Sequence, residues 1–140
     1  MTSESNETWV TYSDGASRGN PGPASYGAVV IDPSGTVLQE ISVPLGVTTN
    51  NIAEYRGLIA ALESALELGA ERVEARLDSE LLVRQAMGRY KVKHPGLIPL
   101  HRQVIDLARR FSAIEFKHVR REFNKHADAL ANQALDRGPS

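Results

Sequence analysis

Apolar and polar positions alternate with a period of two in three stretches near the start of the chain. Residues 8–14 (TWVTYSD) set Trp9 and Thr11 against Val10 and Tyr12, and residues 26–31 (YGAVVI) form a short apolar run. Residues 36–43 return after DPSG at 32–35, a tight hairpin signal. Between the first two stretches, residues 15–23 (GASRGNPGP) form a Gly- and Pro-rich cluster that predicts a turn. Consecutive strands with short turns predict an antiparallel meander. The period then changes. Residues 46–51 (GVTTNN) close the strand run and offer helix caps, and residues 52–68 carry apolar side chains at helical spacing, with Gly69 as the stop. Residues 72–77 alternate again, with Val73, Ala75 and Leu77 on one face. Asp78 and Ser79 can cap a short helix at 80–87, and 88–96 is a basic connector. Residues 98–111 are helical, 113–119 form a further strand and 124–135 a last helix. The order is βββαβααβα, an α/β chain with a frayed segment at 1–7 and a single domain over 8–137.

Composition narrows the chemistry. A chain of 140 residues with 41 % hydrophobic and 24 % charged residues is one ordinary domain. Cysteine is absent, which removes disulfides, thiolate metal sites and cysteine nucleophiles together. The apolar runs are far too short for a membrane span, and the polar, acidic start is wrong for a targeting peptide. A cytoplasmic protein is expected. The net charge of −1 hides a division: residues 1–83 hold 4 Lys/Arg against 12 Asp/Glu, and residues 84–140 hold 12 against 5. Either two solvated faces differ in sign, or a partner is a polyanion that also needs a carboxylate cluster.

Four carboxylates stand apart. Asp14 ends the first strand, where a turn-forming Asp is ordinary, yet it shares a face with Val10 and Tyr12. Glu54 could compensate the dipole of a helix N-terminus, but at about 100° per residue it falls on the apolar stripe of Leu58, Ala61 and Ala65. Glu63 and Glu67 lie roughly 180° and 220° away by the same spacing. Asp78 ends the fourth strand, as a helix cap or as part of a site at the strand ends. Asp128 lies inside the last helix, past the expected cap Asn124, on a stripe with Ala131 and Leu135. Strand ends and helices can converge on one sheet edge. Carboxylates gathered without Cys suit a hard divalent cation, Mg²⁺ or Mn²⁺ rather than Zn²⁺, and a pair of such ions is a known device for phosphodiester hydrolysis.

The segments YSDGASRGNPGPASYGAVV, TTNNIAEYRGLIAAL, ARLDSELLVRQ and NKHADALANQAL, in this order, resemble a type 1 ribonuclease H over nearly the whole chain. The resemblance implies an RNase H-like fold, a five-stranded mixed sheet (antiparallel strands first, then parallel ones) flanked by about four helices. It implies endonucleolytic hydrolysis of the RNA strand of RNA–DNA hybrids by two-metal-ion catalysis, with 5′-phosphate and 3′-hydroxyl products. Asp14, Glu54, Asp78 and Asp128 are then the catalytic, metal-binding carboxylates. Ser17, Asn20, Thr49, Asn50, Asn51 and Arg121 fall among the substrate contacts. The Asn pair faces the minor groove, where 2′-hydroxyls mark RNA, and helix capping is its other reading. The implied partner is an RNA–DNA hybrid, with double-stranded RNA as a second candidate; no membrane partner is expected, and the protein is expected to be a monomer. A catalytically weak hybrid- or dsRNA-binding module is the alternative, and an exonuclease of the same fold lacks these loops.

The chain departs from the family pattern in three places. VRREFNKHAD replaces a longer loop that carries a catalytic His. His126 lies at the helix start and reads as an exposed helix residue, which leaves Arg121 nearest the missing role. The connector GRYKVKHPG replaces a basic protrusion, with Lys91, Lys93 and His94 as partial substitutes and salt-dependent binding expected. Glu80 stands where a Gln is common, which requires a facing donor or a place in the metal shell. These features resemble a compact branch of the family found in some bacteria and archaea. A second enzymatic domain, present in some bacterial members, is not expected here.

Overall fold

The computed structural model describes residues 7–137, so the frayed segment expected at 1–7 lies almost wholly outside the described residues. The elements are β1 (Thr8–Ser17), β2 (Gly22–Ile31), β3 (Val37–Thr48), α1 (Asn50–Glu67), β4 (Arg72–Leu77), α2 (Glu80–Ala86), α3 (Ile98–Ala108), β5 (Ala113–His118), a 3₁₀ turn (Arg121–Phe123) and α4 (Lys125–Arg137). One five-stranded sheet runs in the order β3-β2-β1-β4-β5. The β1–β2 and β2–β3 pairs are antiparallel, while β1–β4 and β4–β5 are parallel. The expected element order and mixed sheet are both present.

The strands of the meander are longer than their alternation predicts. β1 continues to Ser17 and β2 begins at Gly22, so the turn shrinks to residues 18–21, closed by the Arg18 N–H on Pro23 O at 2.8 Å. Gly15 is therefore a strand residue beneath a helix, not part of the turn. A Cβ there would stand 2.3 Å from Glu54 N. β3 runs past Pro44 to Thr48 through an irregularity opposite Ala24 and Ser25, with Gly46 at φ 77°. An edge strand tolerates a proline at such a bulge. Sequence periodicity cannot show this, because the bulge breaks the period of two.

Helix boundaries shift for local reasons. Thr49 is the N-cap of α1, its Oγ1 accepting the Ile52 N–H at 3.3 Å, so the helix begins two residues before the expected start. Its end closes as the spacing predicts: Gly69 sits at φ 101°, with its N–H on Leu66 O and the Ala70 N–H on Ala65 O. α3 ends at Ala108 rather than 111, because Arg110 and Phe111 turn back onto Leu107 O and Ala108 O to enter β5.

The main core lies between the sheet and α1, α2 and α3, where Tyr55, Leu58, Leu62, Val73, Ala75, Leu82 and Val104 are buried. α4 packs on the other face through Ala127, Ala131 and Ala134. A Cβ at Gly27 would meet Ala127 O at 2.3 Å, so the glycine lets this helix sit directly on β2. The carboxylates gather where the β1–β4 ladder ends, just past the Ser13–Leu77 pair. No helix among the described residues is long and apolar enough to cross a membrane.

Candidate metal and nucleic-acid site

Pairing register sets the first two carboxylates side by side. Ser13 of β1 pairs with Leu77 of β4 in parallel, and the next residues are Asp14 and Asp78. Helix α1 crosses Gly15 at the closest possible approach, which brings Glu54 to the same point. One carboxylate oxygen from each of Asp14, Glu54 and Asp78 lies within 4.8 Å of the others. Asp128 faces Asp14 from α4 within hydrogen-bonding range but stands outside that triad.

The structure removes several ordinary explanations for these residues. Glu54 is in the second turn of α1, and the first turn holds no acidic residue, so dipole compensation does not account for it. Leu58, Ala61 and Ala65 on its stripe are fully buried, and Glu63 and Glu67 are exposed. Capping of α2 falls to Ser79, whose Oγ accepts the Leu82 N–H at 3.2 Å, so Asp78 is free of it. The buried Asp78 Oδ2 has no hydrogen-bond partner. Asp128 corrects one expectation: α4 starts at Lys125, which places Asp128 in the first turn, where an Asp is ordinary. Its distinction is its closeness to Asp14, not its helix position. Asn124 corrects another, since its side chain reaches Ser13 O at 3.0 Å instead of capping α4.

Electrostatics mark the cluster as one that requires a counter-charge. The Asp14 carboxyl is pushed up to about 8, by burial first and then by Asp78, Asp128 and Glu54. Glu54 is pushed up to about 7, by burial first and by Asp78, against a hydrogen bond with Ser79 and the Arg121 guanidinium. A donor set of carboxylate oxygens alone, one of them buried and unpartnered, fits a hard divalent cation. Both folded values exceed the ordinary carboxylate range, so the native state holds protons that the unfolded chain releases. Stability tied to those protons is complete at pH below the unfolded values and is lost as pH rises through about 7 and about 8. In chelator, the thermal midpoint is therefore expected to fall from about pH 5 to about pH 8.5, and saturating Mg²⁺ or Mn²⁺ to remove the fall. Asp14→Asn in chelator should give a shallower slope, and an equal slope would exclude Asp14 as the titrating group.

The expected substrate contacts lie at the β1–β2 turn, at the start of α1 and in the 3₁₀ turn before α4. Asn20 Oδ1 accepts the Asn50 N–H at 3.0 Å, which ties the GNPGP loop to the start of α1. Thr49 caps the helix, so capping is not the task of Asn50 and Asn51. Asn51 is exposed. Ser17 Oγ donates to Gly19 O, within the turn. Arg121 is exposed in the 3₁₀ turn, and its charge acts on Glu54. Arg120 and Lys125 are exposed beside it, so part of the positive second half of the chain surfaces next to the carboxylates. His126 is bonded to Glu40 of β3, in keeping with an exposed helix residue. Glu80 faces a donor, Arg84, one turn along α2. In the connector Lys91, Lys93 and His94 are exposed. Sequence reasoning missed the Ser79 hydroxyl as a group that holds the Glu54 carboxyl down, although a Ser directly after Asp78 at a helix start was the available signal.

A family model described as "Reverse transcriptase-like" matches residues 12–134. The bifunctional protein Rv2228c of Mycobacterium tuberculosis is 53% identical over 129 residues, covering 91% of this chain and 35% of that protein. A ribonuclease HI of Halobacterium salinarum is 44% identical over 125 residues, covering 89% of this chain and 63% of that protein. The chain thus spans about a third of the first relative and under two-thirds of the second. A crystal structure of LC11-RNase H1, isolated from compost, in complex with an RNA/DNA hybrid superposes with TM-score 0.88 at 44% identity, covering 94% of this chain and 99% of that one.

Proposed function

Because the chain belongs to the type 1 ribonuclease H family, we propose that it hydrolyses the RNA strand of RNA–DNA hybrids internally, leaving 5′-phosphate and 3′-hydroxyl ends. The observation that carries this reading is the triad of Asp14, Glu54 and Asp78, drawn within 4.8 Å from three separate elements, with Asp128 beside Asp14. These residues would hold Mg²⁺ or Mn²⁺ in pairs. When bound, such ions supply an activated water and charge stabilisation at the departing 3′ oxygen.

The rest of the reading concerns what the chain's own groups do. Asn20, fixed by the Asn50 N–H, and the side chains of Asn50 and Asn51 meet the minor groove, where a 2′-hydroxyl distinguishes RNA. Thr49 and the Asn51 amide at the α1 N-terminus, where the Asn50 and Ile52 N–H groups are already engaged, take a phosphate of the DNA strand. Ser17 holds the neighbouring turn in shape. Arg121 presents a fixed cation beside Glu54, which favours departure of the anionic product. The protein works as a cytoplasmic monomer, and double-stranded RNA is the second substrate to test.

The test is a labelled RNA–DNA hybrid beside matched RNA–RNA and DNA–DNA duplexes, each with Mg²⁺, Mn²⁺ or a chelator. Internal cuts in the RNA strand of the hybrid, present only with an ion, are the expected result. Tight hybrid binding without cleavage under any ion would make the protein a binding module instead.

A further inference from the structure

Helix α4 carries one carboxylate of the site and is tethered to the sheet at several points. The Ser25 hydroxyl donates to Ala131 O and the Ser42 hydroxyl to Leu130 O, binding the middle of the helix to β2 and β3. Neither tether touches the chain beside a carboxylate. Asn124 is different. It lies between the 3₁₀ turn and α4 and is 1% exposed. Its Nδ2 donates to the carbonyl of Ser13 at 3.0 Å, one residue before Asp14 and at the last pair of the β1–β4 ladder. Its own carbonyl accepts the Asp128 N–H at 3.1 Å, and its N–H donates to Arg121 O at 2.9 Å. One residue is thus bonded to the backbone adjoining Asp14, to Asp128 and to Arg121.

We propose that Asn124 is a positioning residue: its amide fixes Asp128 and Arg121 relative to Asp14, and so sets the affinity of the cluster for a divalent cation. This rests on the metal-dependent reading of the site. The choice of residue supports it. Asn124 Oδ1 is buried without a partner, a poor arrangement for stability alone. The amide nevertheless supplies a donor with the reach to cross from α4 to β1. Loss of that donor leaves α4 docked through Ser25, Ser42 and the Ala127–Gly27 contact, while the bond that ties the start of the helix to β1 beside Asp14 is gone. Side chains that orient metal ligands change affinity by about 10- to 100-fold when removed.

Mn²⁺ binding by titration calorimetry without nucleic acid, with the thermal midpoint in chelator, compares the wild type, Asn124→Ala and Ser25→Ala. Both variants are expected to melt earlier than wild type. Only Asn124→Ala is expected to weaken Mn²⁺ binding, by about 10-fold or more. Should that variant fail to fold, Asn124→Ser, which keeps a polar group in the gap, takes its place. Wild-type Mn²⁺ affinity in the Asn124 variant would overturn the proposal. So would equal weakening in Ser25→Ala, which would assign the effect to general loosening of the helix. No Mn²⁺ binding by the wild type would instead overturn the metal-dependent reading, and this proposal with it.

Discussion

Asp14→Asn is expected to slow hydrolysis of hybrid RNA by about 1,000-fold or more, at the upper end of what one lost electrostatic contact to a transition state costs. That factor corresponds to roughly 4 kcal/mol of barrier. Asp14 is the most deeply placed carboxylate of the cluster, 8% exposed, and every other carboxylate of the site acts on it. The amide keeps its size and polarity but removes a charge that a bound cation would use. Hybrid binding should change little, because the proposed contacts at Asn20, Thr49, Asn50 and Asn51 are untouched. The same change should raise the thermal midpoint in chelator at pH 8, since it removes a charge that burial opposes. Single-turnover cleavage, filter binding and thermal unfolding measure these separately. Wild-type turnover would remove Asp14 from the metal site.

Gly15→Ala is expected to have the largest effect on stability. A Cβ at that position would lie 2.3 Å from Glu54 N, 2.5 Å from Ala53 C and 2.8 Å from Glu54 Cα. All of these are backbone atoms where the first turn of α1 passes into the second, so no rotamer change relieves the clash. The helix must lift from β1, which spoils the packing of Tyr55 and Leu58 and draws Glu54 away from Asp14. Overpacking of a tight contact costs about 3 kcal/mol when backbone has to shift. For a domain of this size that lowers the melting temperature by roughly 10 °C. Urea and thermal unfolding check the figure, and residual activity per folded molecule checks the displacement of Glu54. A midpoint within error of wild type would show that α1 does not rest on β1 at this spacing.

Much of the site could be read from local spacing. Glu54 falls on the stripe of Leu58, Ala61 and Ala65 by helical geometry alone, and those residues are buried. Strand 72–77 alternates cleanly because one face packs on α1, and its observed bounds coincide with the pattern. Gly69 and Ser79 mark helix ends through their own backbone and side-chain chemistry. Other features were less legible. Gly15 looked like a turn residue, because the sequence does not say that a helix passes over it. Asn124 looked like a cap, because its donor finds a carbonyl on a strand 111 positions away. Asp128 looked misplaced in a helix interior until the start of α4 put it in the first turn. The Glu80–Arg84 pair was within reach of simple helical spacing and answers the question that Glu80 posed.

Spacing and motifs along the chain suffice for the element order, the buried faces, the carboxylate-only donor set and the family. These depend on contacts within a few residues and on motifs that stand in the chain as written. That Asp14 and Asp78 lie side by side comes from the fold alone, because the Ser13–Leu77 register is a pairing of distant strands. The fold also decides how strongly Asp14 and Glu54 resist ionising, since that follows from burial and from neighbours on other elements. Periodicity is a property of neighbours along the chain, whereas a cation site is a property of neighbours in space.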